Sequence, residues 1–186
     1  MEKTTTTYQT FKEIRTNIQA QLPLWNKVYV CGGCVRDTIL GKPVSDIDVF
    51  ITTESFHESP SICFTTDLGW NQLLPELEYD NSLIEGVYEK ILKDGRKLQV
   101  IICVVGPTIE DIIHNFPVNI SKCYIDTDNK LVLTDDFIAG MCSKKLEFSL
   151  GANPKYSSKI RTKYIDWKSK LDLIESGAFL FHDLLP

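Results

Sequence analysis

The sequence predicts an α+β domain: a mixed or antiparallel sheet of about five strands flanked by helices, with an amphipathic helix at the C-terminal end. Three observations predict it. Short β-branched and aromatic runs recur at Val28–Val30, Glu85–Leu92 and Lys97–Val105, and Asp46–Ile51 alternates with a side-chain period of two. Apolar residues at spacings of three and four lie near both ends of the chain. Between two of the strand-like runs stands Lys93-Asp94-Gly95-Arg96, and Asp-Gly is a strong two-residue hairpin signal.

Taken in order, Tyr8, Phe11, Ile14, Ile18 and Leu22 mark an amphipathic helix that Pro23 ends. Val28-Tyr29-Val30 is a buried strand that runs into Gly32 and Gly33. A helix follows, with Val35 and Ile39 on one face; Gly41 closes it and Pro43 keeps it from resuming. The next strand alternates Asp46, Asp48 and Phe50 with Ile47, Val49 and Ile51, so both aspartates share a face. Residues 52–82 read as loop and short helix, broken by Pro60, Gly69 and Pro75, with Trp70 as core or cover. Beyond the hairpin, Ile109, Ile112, Ile113 and Phe116 line a short helix, and Thr108 with Asp111 has capping-box spacing. Asp126, Asp128 and Asn129 suggest a turn; the glycine and glutamate of a calcium loop are missing. Lys130–Leu133 reads as a strand, Thr134 caps a helix beginning Asp135-Asp136-Phe137, and a last strand is expected near Lys145–Leu150. Tyr156, Ile160, Tyr164, Trp167, Leu171 and Ile174 form the long C-terminal helix. The expected organisation is one domain over 1–150 and a helical extension over 151–186 packed on it.

The 186 residues, 43% hydrophobic and 24% charged, suffice for one well-cored domain. The polar start MEKTTTTYQTFKEIR and the lack of a long apolar run predict a soluble, cytoplasmic protein with no signal peptide and no membrane partner. Six scattered cysteines argue against a disulfide framework. A net charge of -5 argues against a broad nucleic-acid surface. The charge is uneven, however. Pro43 to Glu89 holds ten acids and no Lys or Arg, whereas Ser143 to Lys170 holds eight bases against Glu147 and Asp166. A polyanionic acceptor would approach the C-terminal part; a solvated helix face explains the bases as well.

Two carboxylates ~7 Å apart on one strand face repel each other, and Asp is disfavoured in strands. A divalent cation offsets that, and Mg²⁺ is commonly held by one or two carboxylates plus substrate phosphates. Gly32 and Gly33, without Cβ atoms, let their amides approach phosphates at a helix N-terminus, and Arg36 adds a cation one turn in.

The stretch GGCVRDTILGKPVSDIDVF resembles the head-domain signature of tRNA nucleotidyltransferases (CCA-adding enzymes) and bacterial poly(A) polymerases, GGxVRDxLLGxxxxDxDxx, within the DNA polymerase β superfamily. Gly32, Gly33, Val35, Arg36, Asp37, Leu40, Gly41, Asp46 and Asp48 carry the resemblance. It implies a nucleotidyltransferase fold and transfer of an NMP from an NTP to an acceptor hydroxyl by two Mg²⁺ (or Mn²⁺) ions. Asp46 and Asp48 would be the catalytic metal ligands; Gly32, Gly33, Arg36 and Asn119 would bind the nucleotide; the acceptor would be an RNA 3′-OH, tRNA-like. The chain departs from the family in three places. Gln99 stands where a third carboxylate is usual. Within His114 to Asp126, which resembles RRDFTINAxxYD, Phe116 and Asn119 align, but Ile113, His114 and Asn115 replace the arginines and aspartate. No EDxxR neck motif appears, and the exposed face of the last helix is open to homodimer formation. Two other readings stay open: a weak or inactive nucleotide- or RNA-binding relative, and a thiol oxidoreductase built on Cys31-Gly-Gly-Cys34.

Overall fold

The structure, a computed structural model, describes residues 2–54, 60–74 and 83–147. Helix α1 (Glu2–Gln19) buries Phe11 and Ile18, with Tyr8 and Ile14 packed beside them and Leu22 just past its end. Strand β1 (Asn26–Cys31), helix α2 (Gly33–Ile39) and strand β2 (Asp46–Thr53) follow as expected. Gly41, at φ +63°, ends α2 in a Schellman turn: Lys42 N–H donates to the Asp37 carbonyl at 2.7 Å and Gly41 N–H to that of Thr38 at 3.0 Å.

Two 3₁₀ turns (Pro60–Cys63 and Thr66–Leu68) lead to β3 (Asn71–Leu73), and β4 (Ile84–Ile91) and β5 (Lys97–Cys103) form the hairpin. Then come α3 (Ile109–His114), a 3₁₀ turn (Asn119–Ser121), β6 (Cys123–Ile125), β7 (Leu131–Leu133) and α4 (Asp135–Ser143). Thr108 and Asp111 make the full capping box at α3, and Thr134 Oγ1 accepts from Phe137 N–H at 3.2 Å to cap α4. Asp126 Oδ1 accepts from the amides of Asp128 and Lys130, both at 2.8 Å, which makes the turn between β6 and β7.

Among the described residues seven strands lie in one sheet, ordered β3-β4-β5-β2-β1-β6-β7. Strands β2 and β5 are parallel and the other five neighbouring pairs antiparallel. The sheet is mixed, as expected, but larger, because β3 and β6 have three residues each and are too short to show a period. Two local expectations are corrected. The hairpin loop has three residues: Leu92 N–H donates to Arg96 O and Gly95, at φ +84°, donates to Leu92 O. Residues 145–147 are not a strand; they are tied to the Asn119 side chain instead, as described below. The remaining residues of that expected strand, most of the basic segment and the long C-terminal helix lie outside the described residues.

Each sheet face has its own core. One buries Val28, Val30, Ile47, Val49, Ile51, Val100 and Ile102 with residues of α1, α2 and α4. On the other, Ile109, Ile112 and Ile113 of α3 cover Tyr29, Cys31, Phe50 and Ile101. Cover on this second face ends partway along β2: Phe50 is buried, Asp48 half-buried and Asp46 exposed. No helix among the described residues is long and apolar enough to cross a membrane.

Candidate active site

Asp46 and Asp48 stand on the open end of that second face. Across the sheet Asp48 pairs with Cys31 of β1 and with Gln99 of β5, and Asp46 pairs with Lys97. Paired residues share a face, so the sheet itself lines up Asp46, Asp48 and Gln99. The expected single-face placement of the two aspartates is what the strand shows.

At the head of α2 the two glycines differ. Gly32 has φ +78° and ψ -136°, and a Cβ there would lie 3.0 Å from Phe116 Cε2. Its N–H donates to the Cys123 carbonyl at 2.8 Å, so this amide continues the sheet and is not turned to a ligand. The glycine is therefore required for backbone conformation and for the seating of Phe116, which also stacks at 5.4 Å on Phe50. Gly33 opens α2, whose first-turn amides have no intrahelical acceptor and no side-chain cap. Arg36 is 3% exposed. Its Nε donates to Asp37 Oδ1 at 2.9 Å and its Nη1 to Ser121 Oγ at 3.0 Å, while its Nη2 lies 3.4 Å from where a Gly33 Cβ would be. The guanidinium thus sits beneath the diglycine turn as a buried brace, its charge close to the first turn of α2.

Gln99, beside Asp48 in the sheet, is buried and donates from Nε2 to Glu89 Oε2 at 3.2 Å. Lys97 Nζ meets the same oxygen at 2.9 Å. Glu89 and Lys97 were not singled out by the sequence; only the hairpin register, which pairs Glu89 with Gln99, would have found them. Among the described residues no group of three or more His, Cys, Asp or Glu is disposed to hold a metal alone. Two carboxylates on one open strip, Asp46 and Asp48, do fit Mg²⁺ or Mn²⁺ of the kind that takes its other ligands from water and substrate phosphates.

Asn119 falls elsewhere. Its Nδ2 donates to Lys145 O at 3.0 Å, and its Oδ1 accepts from Ile120 N–H at 2.8 Å and Glu147 N–H at 3.1 Å. A Cβ on Gly140 would lie 2.4 Å from its Nδ2, which places it against α4, on the side of the first core. The side chain ties 145–147 to the domain. His114 is exposed at the end of α3. Trp70 is buried, edge-on to Phe64 at 5.1 Å, as cover.

The thiol reading is contradicted. Cys31 and Cys34 are buried, Cys34 Sγ donates to Cys31 O at 3.2 Å, and burial pushes both thiols well above the ordinary range. A redox-active pair needs the opposite, an accessible cysteine with a depressed pKa.

The sequence pattern described as "Gabija anti-defense 2 family protein" matches residues 5–144, which contain the whole of this site. The chain belongs to the Gabija anti-defense 2 family. Among solved structures, a tRNA-processing enzyme in apo form 2 superposes with a TM-score of 0.53 at 15% identity, over 84% of this chain and 43% of that one. Apo form I of a tRNA-processing enzyme gives 0.52 at 18% identity, over 74% and 36%. The Thermotoga maritima CCA-adding enzyme complexed with tRNA gives 0.51 at 16% identity, over 75% and 32%. This family member therefore has the nucleotidyltransferase fold implied by the resemblance, and it spans less than half the length of those enzymes. A comparison with curated sequences gives no match.

Proposed function

We propose that the chain is a divalent-metal-dependent nucleotidyltransferase that moves an NMP from an NTP to an acceptor hydroxyl, with a tRNA-like RNA 3′-OH as the acceptor. The observation that carries the reading is the pair Asp46 and Asp48 on an open strip of β2, beside the diglycine turn that ends β1. Bound Mg²⁺ or Mn²⁺ supplies Lewis-acid activation of the hydroxyl and neutralises charge on the triphosphate. Asp46 and Asp48 hold the ions. The first-turn amides of α2, from Gly33 on, receive phosphate oxygens, and the buried charge of Arg36 supports them from below. Gly32 shapes the turn, and Asp37 braces Arg36.

The charge pattern supports an acceptor approaching from the basic C-terminal part, because ten acids and no Lys or Arg lie from Pro43 to Glu89. Covalent change of an acceptor also accords with a family described by its opposition to a defence system, so protein acceptors are tested beside RNA. The amphipathic pattern over 156–174 supports a homodimer, which a monomeric sedimentation result would contradict.

A second reading, an inactive nucleotide binder, is favoured by the neutral Gln99 and by Ile113, His114 and Asn115 where the family pattern carries arginines and an aspartate. Pyrophosphate release from each of the four NTPs separates the two. Release that Asp46→Asn and Asp48→Asn both abolish supports the enzyme. NTP binding that depends on both residues, without release under any acceptor, supports the binder.

A further inference from the structure

The chain from Pro43 to Glu89 holds no Lys or Arg, and the next eight residues hold four, Lys90, Lys93, Arg96 and Lys97, against the single acid Asp94. Folding turns this run into the tip of the β4–β5 hairpin and sets the tip beside Asp46. Strand β5 runs parallel to β2 with Lys97 opposite Asp46, and Lys97 N–H donates to Ser45 O at 2.9 Å, so the hairpin loop stands level with the start of β2. Lys90 leaves the group: its Nζ lies 5.6 Å over the Trp70 ring and donates to Leu68 O at 3.0 Å. The other three stay at the open end of the sheet. Lys93 is exposed, Arg96 is held by Asp94 at 2.6 Å, and Lys97 reaches Glu89 at 2.9 Å with 39% of its side chain exposed. Lys97 also pairs with Ile91 of β4, so Asp46, Lys97 and Ile91 form one row on one face, where Ile91 is 60% exposed.

Strand β1, which carries the diglycine turn, is one neighbour of β2, and β5 is the other. Attack on a phosphoryl group is in line with the departing pyrophosphate, so a triphosphate seated at the first turn of α2 leaves the acceptor to come over β5 and β4. We infer that the β4–β5 hairpin tip is the acceptor contact of this site and takes the single-stranded 3′ end of an RNA, with Lys93 and Lys97 on its phosphates and Ile91 under its last sugar and base. This rests on the nucleotidyltransferase reading and names where its acceptor lies. Three cations beside one acid fit a polyanion. An ion pair this exposed contributes little to stability, so Lys97 exchanges Glu89 for a phosphate oxygen at small cost. Glu89 is not stranded by the exchange, because Gln99 Nε2 also donates to its Oε2 at 3.2 Å. An apolar residue flanked by cations suits an unpaired strand, whose bases are free to splay out, better than a duplex.

The test is binding of the full chain to a fluorescein-labelled single-stranded RNA, read by anisotropy over about 50 to 200 mM salt, with thermal unfolding of each variant as a check on folding. Lys93→Ala and Lys97→Ala are each expected to lower the slope of log affinity against log salt by about 0.7, and the double variant by about 1.4. Lys93→Arg and Lys97→Arg keep the cation and are expected to keep the slope. Ile91→Ser is expected to weaken binding with the slope unchanged, since no charge is lost. Lys130→Ala removes an exposed cation beside β7, at the far edge of the sheet, and is expected to leave the slope alone. No binding of RNA by the wild type, slopes unchanged in Lys93→Ala and Lys97→Ala, or an equal drop in Lys130→Ala overturns the inference. So does tighter binding of polyglutamate than of RNA with the same lysine dependence, which would make the acceptor an acidic protein. Each of these leaves the parent reading to its own test, pyrophosphate release that depends on Asp46 and Asp48. Failure of that release, with lysine-dependent RNA binding intact, removes the parent reading and with it the assignment of the bound RNA as acceptor.

Discussion

Replacing Gly32 with alanine tests whether the two glycines have separate jobs. Gly32 combines a φ of +78° with a would-be Cβ 3.0 Å from the Phe116 ring, whereas Gly33 is helical and its Cβ would meet Arg36 Nη2 at 3.4 Å. Holding a non-glycine residue in such a backbone region costs about 1–3 kcal/mol. Forcing a methyl against a packed ring adds about 1–3 kcal/mol. The lower entropy of the unfolded alanine chain returns about 0.4–1 kcal/mol. The net for Gly32→Ala is on the order of 3 kcal/mol, a drop of about 6–12 °C in melting temperature for a chain of this size. At Gly33 the helical preference of alanine over glycine is worth about 0.5–1 kcal/mol, so Gly33→Ala is expected to melt close to the wild type. Its effect should appear in NTP affinity instead, since the methyl lies at the first turn of α2. Scanning calorimetry with an NTP-binding titration reads both quantities. Adding Phe116→Leu to Gly32→Ala should recover the contact part of the loss and leave the backbone part. Equal melting of the two single variants, or complete recovery by Phe116→Leu, would refute this division of roles.

Asn119→Ala removes the partners of two backbone amides, Ile120 and Glu147, and of the Lys145 carbonyl. A loss of about 2–5 kcal/mol is expected, with faster hydrogen exchange at Glu147 and, in a variant that still folds, unchanged NTP affinity. The Asp136 carboxyl is held below its ordinary 3.8, chiefly by the hydrogen bond from Lys122 and then by that residue's charge. In the window below 3.8 the unfolded chain binds more protons than the folded one, so this contribution is complete above that pH and is lost as pH falls through the folded value. Thermal unfolding against pH should therefore be steeper at the acid end for the wild type than for Asp136→Asn. Burial of Cys31 and Cys34 predicts that, in the native state near pH 8, a thiol reagent labels exposed Cys142 first and reaches the pair only on unfolding. Rapid native labelling of Cys31 or Cys34 would reopen the thiol reading.

What the sequence disclosed tracks how local the determinant is. The glycine-closed helix α2, both helix caps and the two aspartates on one face follow from spacings of a few residues, and all are present. The pairing of β2 with β5 is parallel and spans the whole segment between them, so no local pattern announces it. Strands of three residues, β3 and β6, show no period. The hairpin shows how a small error propagates: a two-residue Asp-Gly turn would set Lys90 opposite Gln99, while the three-residue turn sets Glu89 there. The nucleotide role of Asn119 came from motif alignment alone; its hydrogen bonds to residues 26 and 28 positions away tie 145–147 to the domain, a part that no local spacing announces. Arg36 shows the reverse. Its place in the motif was legible, but burial against Asp37 and Ser121 depends on how α2 packs on the 3₁₀ turn at Asn119–Ser121.

The most direct test of the central claim is transfer of label from each of four α-labelled NTPs, with Mg²⁺ or Mn²⁺, into tRNA lacking its 3′ end, bulk RNA, protein and the chain itself. The account predicts incorporation into RNA by the wild type, reduced by at least about a thousandfold in Asp46→Asn and in Asp48→Asn, because each removes a carboxylate from the two that hold the ions. Absence of transfer to every acceptor, or transfer that survives both substitutions, would contradict it.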